Sequence, residues 1–229
     1  MTKKKISLII PIFNEEKLIE KNIKKIYFFL KKNFRRFEII IVESGSSDKS
    51  LYICKKVEKK YRNLKLIVEK KRNGFGAALK KGFKLSSGQI ISLFTIDFTF
   101  DLKHYLKASR LLEKYDCVLS YRVNDDRSFF RKFQSIIFNF VAKKLLSIKI
   151  NNINSALKVY KSNFIKKLKI KSNGWLIDTE IVYNIQKQNL KIVEIPVKIN
   201  YRREGKSSIT FLTPLIIFFQ LIYFYYKNI

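Results

Sequence analysis

An α/β fold built on a mostly parallel sheet flanked by helices is predicted by three features of this sequence. Short β-branched apolar runs alternate with segments of helical pattern as far as Tyr121, the arrangement of repeated βαβ units. Those runs are continuous in apolar residues rather than alternating, as strands are when helices cover both faces of a sheet. The chain has 229 residues, enough for one substantial core and short for two, so a single domain is expected.

The elements follow in order. "ISLII" is the first strand. The start "MTKKKISLII" looks for a moment like a secretory leader, but its apolar run is short, Pro11 interrupts it, and Asn14-Glu15-Glu16 follow without a small-residue cleavage site. A helix is predicted over 15–32, then the strand "EIIIV". In "ESGSSD", Gly45 permits a tight turn and Ser46, Ser47 or Asp48 can cap the next helix, over 48–60. "LKLIVE" is the third strand. In "NGFGAALKKG", Gly74 and Gly76 stand at the mouth of a helix over 74–86, where backbone can approach a ligand, although the pattern is not the dinucleotide fingerprint. The fourth strand, "QIISLFTI", stops at Asp97, and Asp101 caps a helix over 102–114 before the strand "CVLSY". Farther on, Phe130, Phe133, Ile136, Ile137, Phe140 and Val141 fall near helical spacing among Arg131, Lys132, Lys143 and Lys144. That pattern suits either a helix packed on the core or a basic helix on a membrane surface.

The chain carries 48 Lys+Arg against 18 Asp+Glu, a formal charge of +30. Nucleic acid, an anionic membrane face and phosphorylated substrates all fit such a charge, and so does lysine filling tolerant surface positions. Nucleic-acid binding rests on charge alone. Cys54 and Cys117 are too few and too far apart for a disulfide framework or a zinc site, which points to a reducing, cytosolic compartment. The stretch over 211–229 is separately apolar. Thr213 can cap a helix with Pro214 in its first turn, running to about Tyr226. At about 1.5 Å per residue that helix spans roughly 20 Å, against a hydrocarbon core of about 30 Å, so it is read as lying in a membrane interface, or as packing on the domain formed by 1–210 or in a dimer interface. No feature of the sequence bears on oligomeric state.

Ligands of open α/β sheets bind beyond the carboxyl ends of the strands. The residues there are Pro11, Asn14 and Glu15 after the first strand, "ESGSSD" after the second, "EKKRNGFG" after the third, and Thr95, Asp97, Thr99 and Asp101 after the fourth.

The ordered set "SLIIPIFNEE", "EIIIVESGSSDKS", "RNGFGAALKKGFKLSSGQIISLFTIDFTFD", "DCVLSYRV", "NNINSALKVYKSNFIKKL" and "GWLIDTEIVYNIQKQNLKIVEIPVKINYRREGKSS" resembles the family 2 glycosyltransferases with the GT-A fold. Within them it is similar to the dolichol-phosphate mannose synthase and polyprenyl-phosphate sugar transferase branch. The resemblance covers most of residues 6–208. It implies an inverting transfer from a nucleotide sugar to a polyprenyl phosphate, at the cytoplasmic face of a membrane with an anionic surface.

The same resemblance assigns roles. Asp97 matches the last position of the Asp-x-Asp motif that holds a divalent metal, Mg2+ or Mn2+, against the donor diphosphate, and Thr99 is its neighbouring ligand candidate. Pro11, Asn14, Glu15, Glu43, Gly74, Gly76, Thr95 and Ile96 match donor-binding positions. Arg122, Arg127, Arg131, Arg203, Lys206 and Ser207 match positions for acceptor phosphate, and Lys158 and Arg202 join Asp97 as catalytic candidates. Two departures stand out: Thr95 replaces the first Asp of the metal motif, and Ser44 replaces an Asp before Gly-Ser. Either Thr95 and Thr99 supply neutral oxygens or hold waters beside a single strong ligand, or the metal role has lapsed and basic residues bind the diphosphate.

A phosphate acceptor is largely ionised near neutral pH and needs no strong base. That suits a chain whose single histidine, His104, follows the metal motif on a helix. A glycan or small-molecule hydroxyl would need a base, for which Asp178 and Glu180 are the candidates. A nucleotide-sugar-binding protein without turnover is the third reading.

Overall fold

The computed structural model describes residues 4–98, 100–123, 129–199 and 213–228, apart from the side chains of Phe130 and Arg131. Seven strands form one sheet. They are β1 (Ile6–Ile12), β2 (Phe37–Glu43), β3 (Leu64–Val68), β4 (Ile90–Leu93), β5 (Cys117–Arg122), β6 (Lys158–Lys161) and β7 (Ile192–Val197). Their order is β3-β2-β1-β4-β6-β5-β7, and β6 alone runs against its neighbours β4 and β5. The expected mostly parallel sheet is therefore present, with one reversed strand.

Among the described residues eight helices connect or flank the strands: α1 (Glu16–Asn33), α2 (Ser50–Lys60), α3 (Phe75–Leu85), α4 (Lys103–Leu111), α5 (Phe129–Leu146), α6 (Ser162–Ile165), α7 (Ile177–Lys187) and α8 (Thr213–Asn228). The strands are buried on both faces because successive side chains point opposite ways. Ile6, Leu8, Ile10 and Ile12 of β1 enter the layer built with α1, α2 and α4, whereas Ile9 enters the layer built with α3, α5, α7 and α8. Continuous apolar runs are thus what this sheet requires.

The chain order turns outward through β2 and β3 on one side of β1 and resumes at β4 on the other, so the sheet has its switch point between β1 and β4. A crevice opens there at the carboxyl ends. The ladder between β1 and β4 ends at Ile9↔Leu93, with Phe94 N donating to Ile9 O at 2.8 Å. Pro11 lies just past that point. Ile12 bonds toward β2, so Pro11's missing N–H falls on the side β4 has left, and a central strand tolerates it. At the opposite end of the sheet Glu38 is buried and accepts from Ser7 Oγ at 2.5 Å, Ser87 N at 2.6 Å and Lys5 Nζ at 3.2 Å. Burial raises its pKa, but those hydrogen bonds win and hold it at about 2.

Candidate active site

Because β6 is reversed, Lys158 at its start lies beside Leu93 at the end of β4 and Leu119 midway along β5. The carboxyl ends of β1 to β5 and β7 and the amino end of β6 therefore share one edge. After Leu93 the chain turns, with Phe98 N donating to Thr95 O at 3.0 Å. Thr95 is exposed and Asp97 half-buried. Ile96 instead buries its side chain in the core and accepts a 2.8 Å bond on its carbonyl from the buried Asn22 of α1. It anchors the turn that carries Asp97. Asp101 does cap α4: its Oδ1 accepts from Lys103 N at 2.9 Å.

The loops after β1 and β2 are tied together. Asn14 adopts φ 54°, a region Asn tolerates; its Oδ1 accepts from Ser47 N at 2.9 Å, and its N donates to Ser46 Oγ at 3.0 Å. Glu15 N donates to Ser50 Oγ at 2.8 Å, and Glu16 N to Asp48 Oδ2 at 3.2 Å. Asn14 therefore holds the rim of the crevice. Ser46 and Asp48 bond across to the β1 loop rather than only capping α2.

Glu43 is fully buried at the end of β2. Its Oε1 accepts from Ser46 N at 2.6 Å, while its Oε2 is buried with no hydrogen-bond partner among the described residues. An orphaned carboxylate oxygen costs about 1–3 kcal/mol or more, so a donor arriving there would be favoured. Ser44, where the resemblance leads one to expect Asp, donates to Glu69 Oε2 at 2.8 Å. Glu69, immediately after β3, also meets Lys81 Nζ at 2.6 Å and Asn73 Nδ2 at 3.3 Å. Burial pushes its pKa up, but the bonds from Lys81, Ser44 and Asn73 outweigh it and hold the carboxyl below its ordinary range. A carboxylate is thus retained behind Ser44 from the neighbouring strand. Sequence reading did not single out Glu69; its only signal was its place directly after a strand. Alongside, the Arg72 guanidinium lies 4.0 Å from the Phe13 ring centroid.

Gly74 and Gly76, which the resemblance implies contact the donor, also pack closely against another segment of the chain. Gly74 has φ 103°, and a Cβ there would meet Asn173 O at 2.3 Å; a Cβ at Gly76 would meet Ser172 O at 2.7 Å. The space is filled by the segment 172–174, whose Asn173 O accepts from Ala77 N at 3.1 Å. Phe75 and Trp175 stack above it at 4.4 Å. Glu180 fixes the same segment, accepting from Lys171 N at 2.7 Å and Ser172 N at 2.8 Å. Both its oxygens are engaged by backbone N–H groups and the residue is buried, so it holds this segment rather than facing a substrate.

Lys158 Nζ contacts Asp178 Oδ2 at 2.6 Å, with side chains only 8% and 10% exposed. Asp178 Oδ1 and the neighbouring Thr179 Oγ1 are buried without partners among the described residues. Arg122 ends β5 opposite Val197 and is half-buried. Thr99, Arg127, Arg202, Arg203, Lys206, Ser207 and the side chain of Arg131 lie outside the described residues.

No group of three or more His, Cys, Asp or Glu among the described residues could hold a metal. Among the described residues Asp97 is thus not part of such a cluster. A hard cation that keeps several waters and binds through one carboxylate plus substrate phosphates does fit a half-buried Asp97 with an exposed Thr95 beside it.

The family model for glycosyl transferase family 2 matches residues 7–169, from β1 past α6. The chain belongs to this family. It is 29% identical to the dodecaprenyl-phosphate galacturonate synthase of Rhizobium johnstonii over 169 residues, 72% of this chain and 50% of that protein. It is 26% identical to the undecaprenyl-phosphate 4-deoxy-4-formamido-L-arabinose transferase of Photorhabdus laumondii over 221 residues, 96% of this chain and 67% of that protein. This family 2 chain thus spans only half of the first relative's length. Its fold is similar to that of glucosyl-3-phosphoglycerate synthase from Mycobacterium tuberculosis, solved with Mn2+, UDP and glucosyl-3-phosphoglycerate. The TM-score is 0.70 at 16% identity, over 96% of this chain and 78% of that one, which establishes the GT-A-like architecture.

Proposed function

We propose that this chain transfers a sugar from a nucleotide-sugar donor to a polyprenyl phosphate, with inversion, at the cytoplasmic face of a membrane. One observation carries the reading: the Leu93↔Lys158 register sets the strand that leads to Asp97 against the Lys158–Asp178 pair. A donor end and an acceptor end then meet across β4 and β6, next to the switch point of the sheet. The lipid phosphates in the names of the two relatives support the acceptor class.

In this reading the orphaned Oε2 of Glu43 takes a donor hydrogen bond from the nucleobase or ribose, and Pro11, Asn14 and Glu15 form the rim around it. Asp97, with Thr95 and Thr99 near it, would hold Mg2+ or Mn2+ together with the donor diphosphate; when bound, the cation neutralises charge on the departing nucleoside diphosphate. An oxygen of the acceptor phosphate attacks the anomeric carbon as the bond to the diphosphate breaks, and the leaving group keeps the electron pair. No proton need be removed, because the acceptor is already ionised. Glu180 is spent on backbone and Asp178 is matched to Lys158, which favours this acceptor over a hydroxyl. Lys158, Arg122, Arg127, Arg131, Arg202, Arg203, Lys206 and Ser207 are the candidates for orienting phosphate. Catalysis would come from positioning and electrostatics.

The test is transfer of labelled sugar from a panel of nucleotide donors into organic-extractable lipid, with and without polyprenyl phosphate and divalent metal. Asp97→Ala should lower metal-dependent transfer on the order of 1,000-fold while leaving the fold intact. Transfer that needs no lipid phosphate, or that survives Asp97→Ala, would sink the reading.

A further inference from the structure

Most of the large apolar side chains left exposed among the described residues gather on two helices. On α5 they are Phe129, Phe133, Ile136, Ile137 and Phe140, exposed by 42 to 83% and spaced as a single stripe. On α8 they are Leu215, Ile216, Phe219, Tyr223 and Tyr226, again one stripe, exposed by 52 to 80%. The opposite sides of the same helices supply Ala142 and Leu146, and Leu221 and Phe224, to the core. The helices pack on one another and bury their other sides in the same core layer, so both stripes lie on the outer side of that layer. An apolar surface of this extent on a folded chain marks an interaction site rather than ordinary surface scatter.

We propose that this two-helix face docks on the interfacial layer of an anionic lipid bilayer. Charge selects the occupant. Neither helix contains an Asp or Glu, whereas Arg131, Lys132, Lys143, Lys144 and Lys227 lie within them. A second copy of a chain with a charge of +30 would be repelled, whereas an anionic leaflet would attract it. Tyr223 and Tyr226 suit headgroup depth, where aromatic rings with a polar tip concentrate. No described helix is long and apolar enough to cross a membrane, and helices with one apolar stripe and basic residues are of the kind that lie in the plane of a bilayer surface. Tyr223 also lines a cleft between α8 and the 171–176 segment, together with Gly174, Leu176, Gln220 and Phe224. The dock thus adjoins the segment that packs against α3 at the catalytic edge. The inference rests on the lipid-phosphate reading only for what the docked protein does next.

The experiment is flotation of the full chain with phosphatidylcholine vesicles, with and without about a third phosphatidylglycerol, all free of polyprenyl phosphate. Binding to the anionic vesicles is expected. It should fall about tenfold or more in Phe133→Ser/Phe140→Ser and in Phe219→Ser/Tyr223→Ser, since one large apolar side chain lifted from an interface has that effect. Leu85→Ser, at an exposed apolar residue of α3 outside the two helices, should bind as wild type. Thermal melts check that each variant is folded; should a double variant melt early, the single Phe140→Ser, at an exposed site, carries the comparison. Wild-type binding that is absent or indifferent to these changes overturns the dock, as does a wild-type dimer in solution that the same changes convert to monomer. Transfer to a short-chain, water-soluble prenyl phosphate is measured in parallel. If it proceeds without vesicle binding, the dock fails and the acceptor reading stands; substitution-sensitive vesicle binding supports the dock even where no transfer occurs.

Discussion

The half of the molecule built from β1 to β4 and the half built from β5 to β7 finish their polar groups differently. In the first, loops are cross-linked by side-chain-to-backbone bonds such as Asn14 to Ser47 and Glu15 to Ser50, and Glu69 is satisfied three ways. Glu43 alone keeps an orphan oxygen there among the described residues. In the second, two buried oxygens of α7 are orphaned beside a buried ion pair, and the outer helices leave apolar stripes exposed. The first half is nearly complete in itself. The second leaves buried polar atoms and apolar stripes without partners among the described residues.

The largest effect should come from breaking the ion pair in the less finished half. Lys158→Met alone leaves Asp178 charged and buried, at a cost of about 3–5 kcal/mol, read as a lower urea midpoint. The double variant Lys158→Met/Asp178→Leu should regain most of that stability. If the single variant is as stable as wild type, the pair does not hold that half together.

In the other half, Glu38 provides a pH test. Its pKa is held at about 2 in the fold against an ordinary 4.5. A depressed carboxyl contributes stability that is complete above about 4.5 and is lost as pH falls from there toward 2, a contribution on the order of 3 kcal/mol. Denaturant melts across that range should fall steeply for wild type and stay flatter for Glu38→Gln. Equal slopes would show that the Ser7–Ser87–Lys5 network does not anchor the β1 to β4 half.

The smallest effect sharpens the boundary between the halves. Gly74→Ala drives a Cβ toward Asn173 O in a left-handed backbone and should cost about 1–3 kcal/mol, with weaker transfer because the 172–174 segment shifts. An unchanged melting temperature would mean that the two halves meet loosely there.

Much of the first half was legible because each strand's apolar run and each βα loop is local. The helices over 15–32, 48–60 and 74–86 appear as Glu16–Asn33, Ser50–Lys60 and Phe75–Leu85. The last two strands were harder. β6 has only four residues, and β7 is an edge strand containing Pro196, a residue that periodicity counts against a strand. Charged residues in a chain this basic looked interchangeable. Which of them pairs with what depends on contacts such as Lys158 with Asp178 or Lys81 with Glu69, far apart along the chain.

By itself the sequence determined the α/β class, the positions of Asn14 and Glu43 where strands end, and the apolar character of the last segment, because these follow from local periodicity and turn chemistry; the fourth strand, read as running to Asp97, stops at Leu93, and Asp97 sits in the turn beyond it. Only the tertiary structure decided that the glycines of α3 make room for 172–174, that Glu180 is spent on backbone, and that α5 and α8 each bury one side and expose the other. Those outcomes depend on which surfaces the reversed β6 and the crossing of distant segments bring together, and no local pattern encodes that.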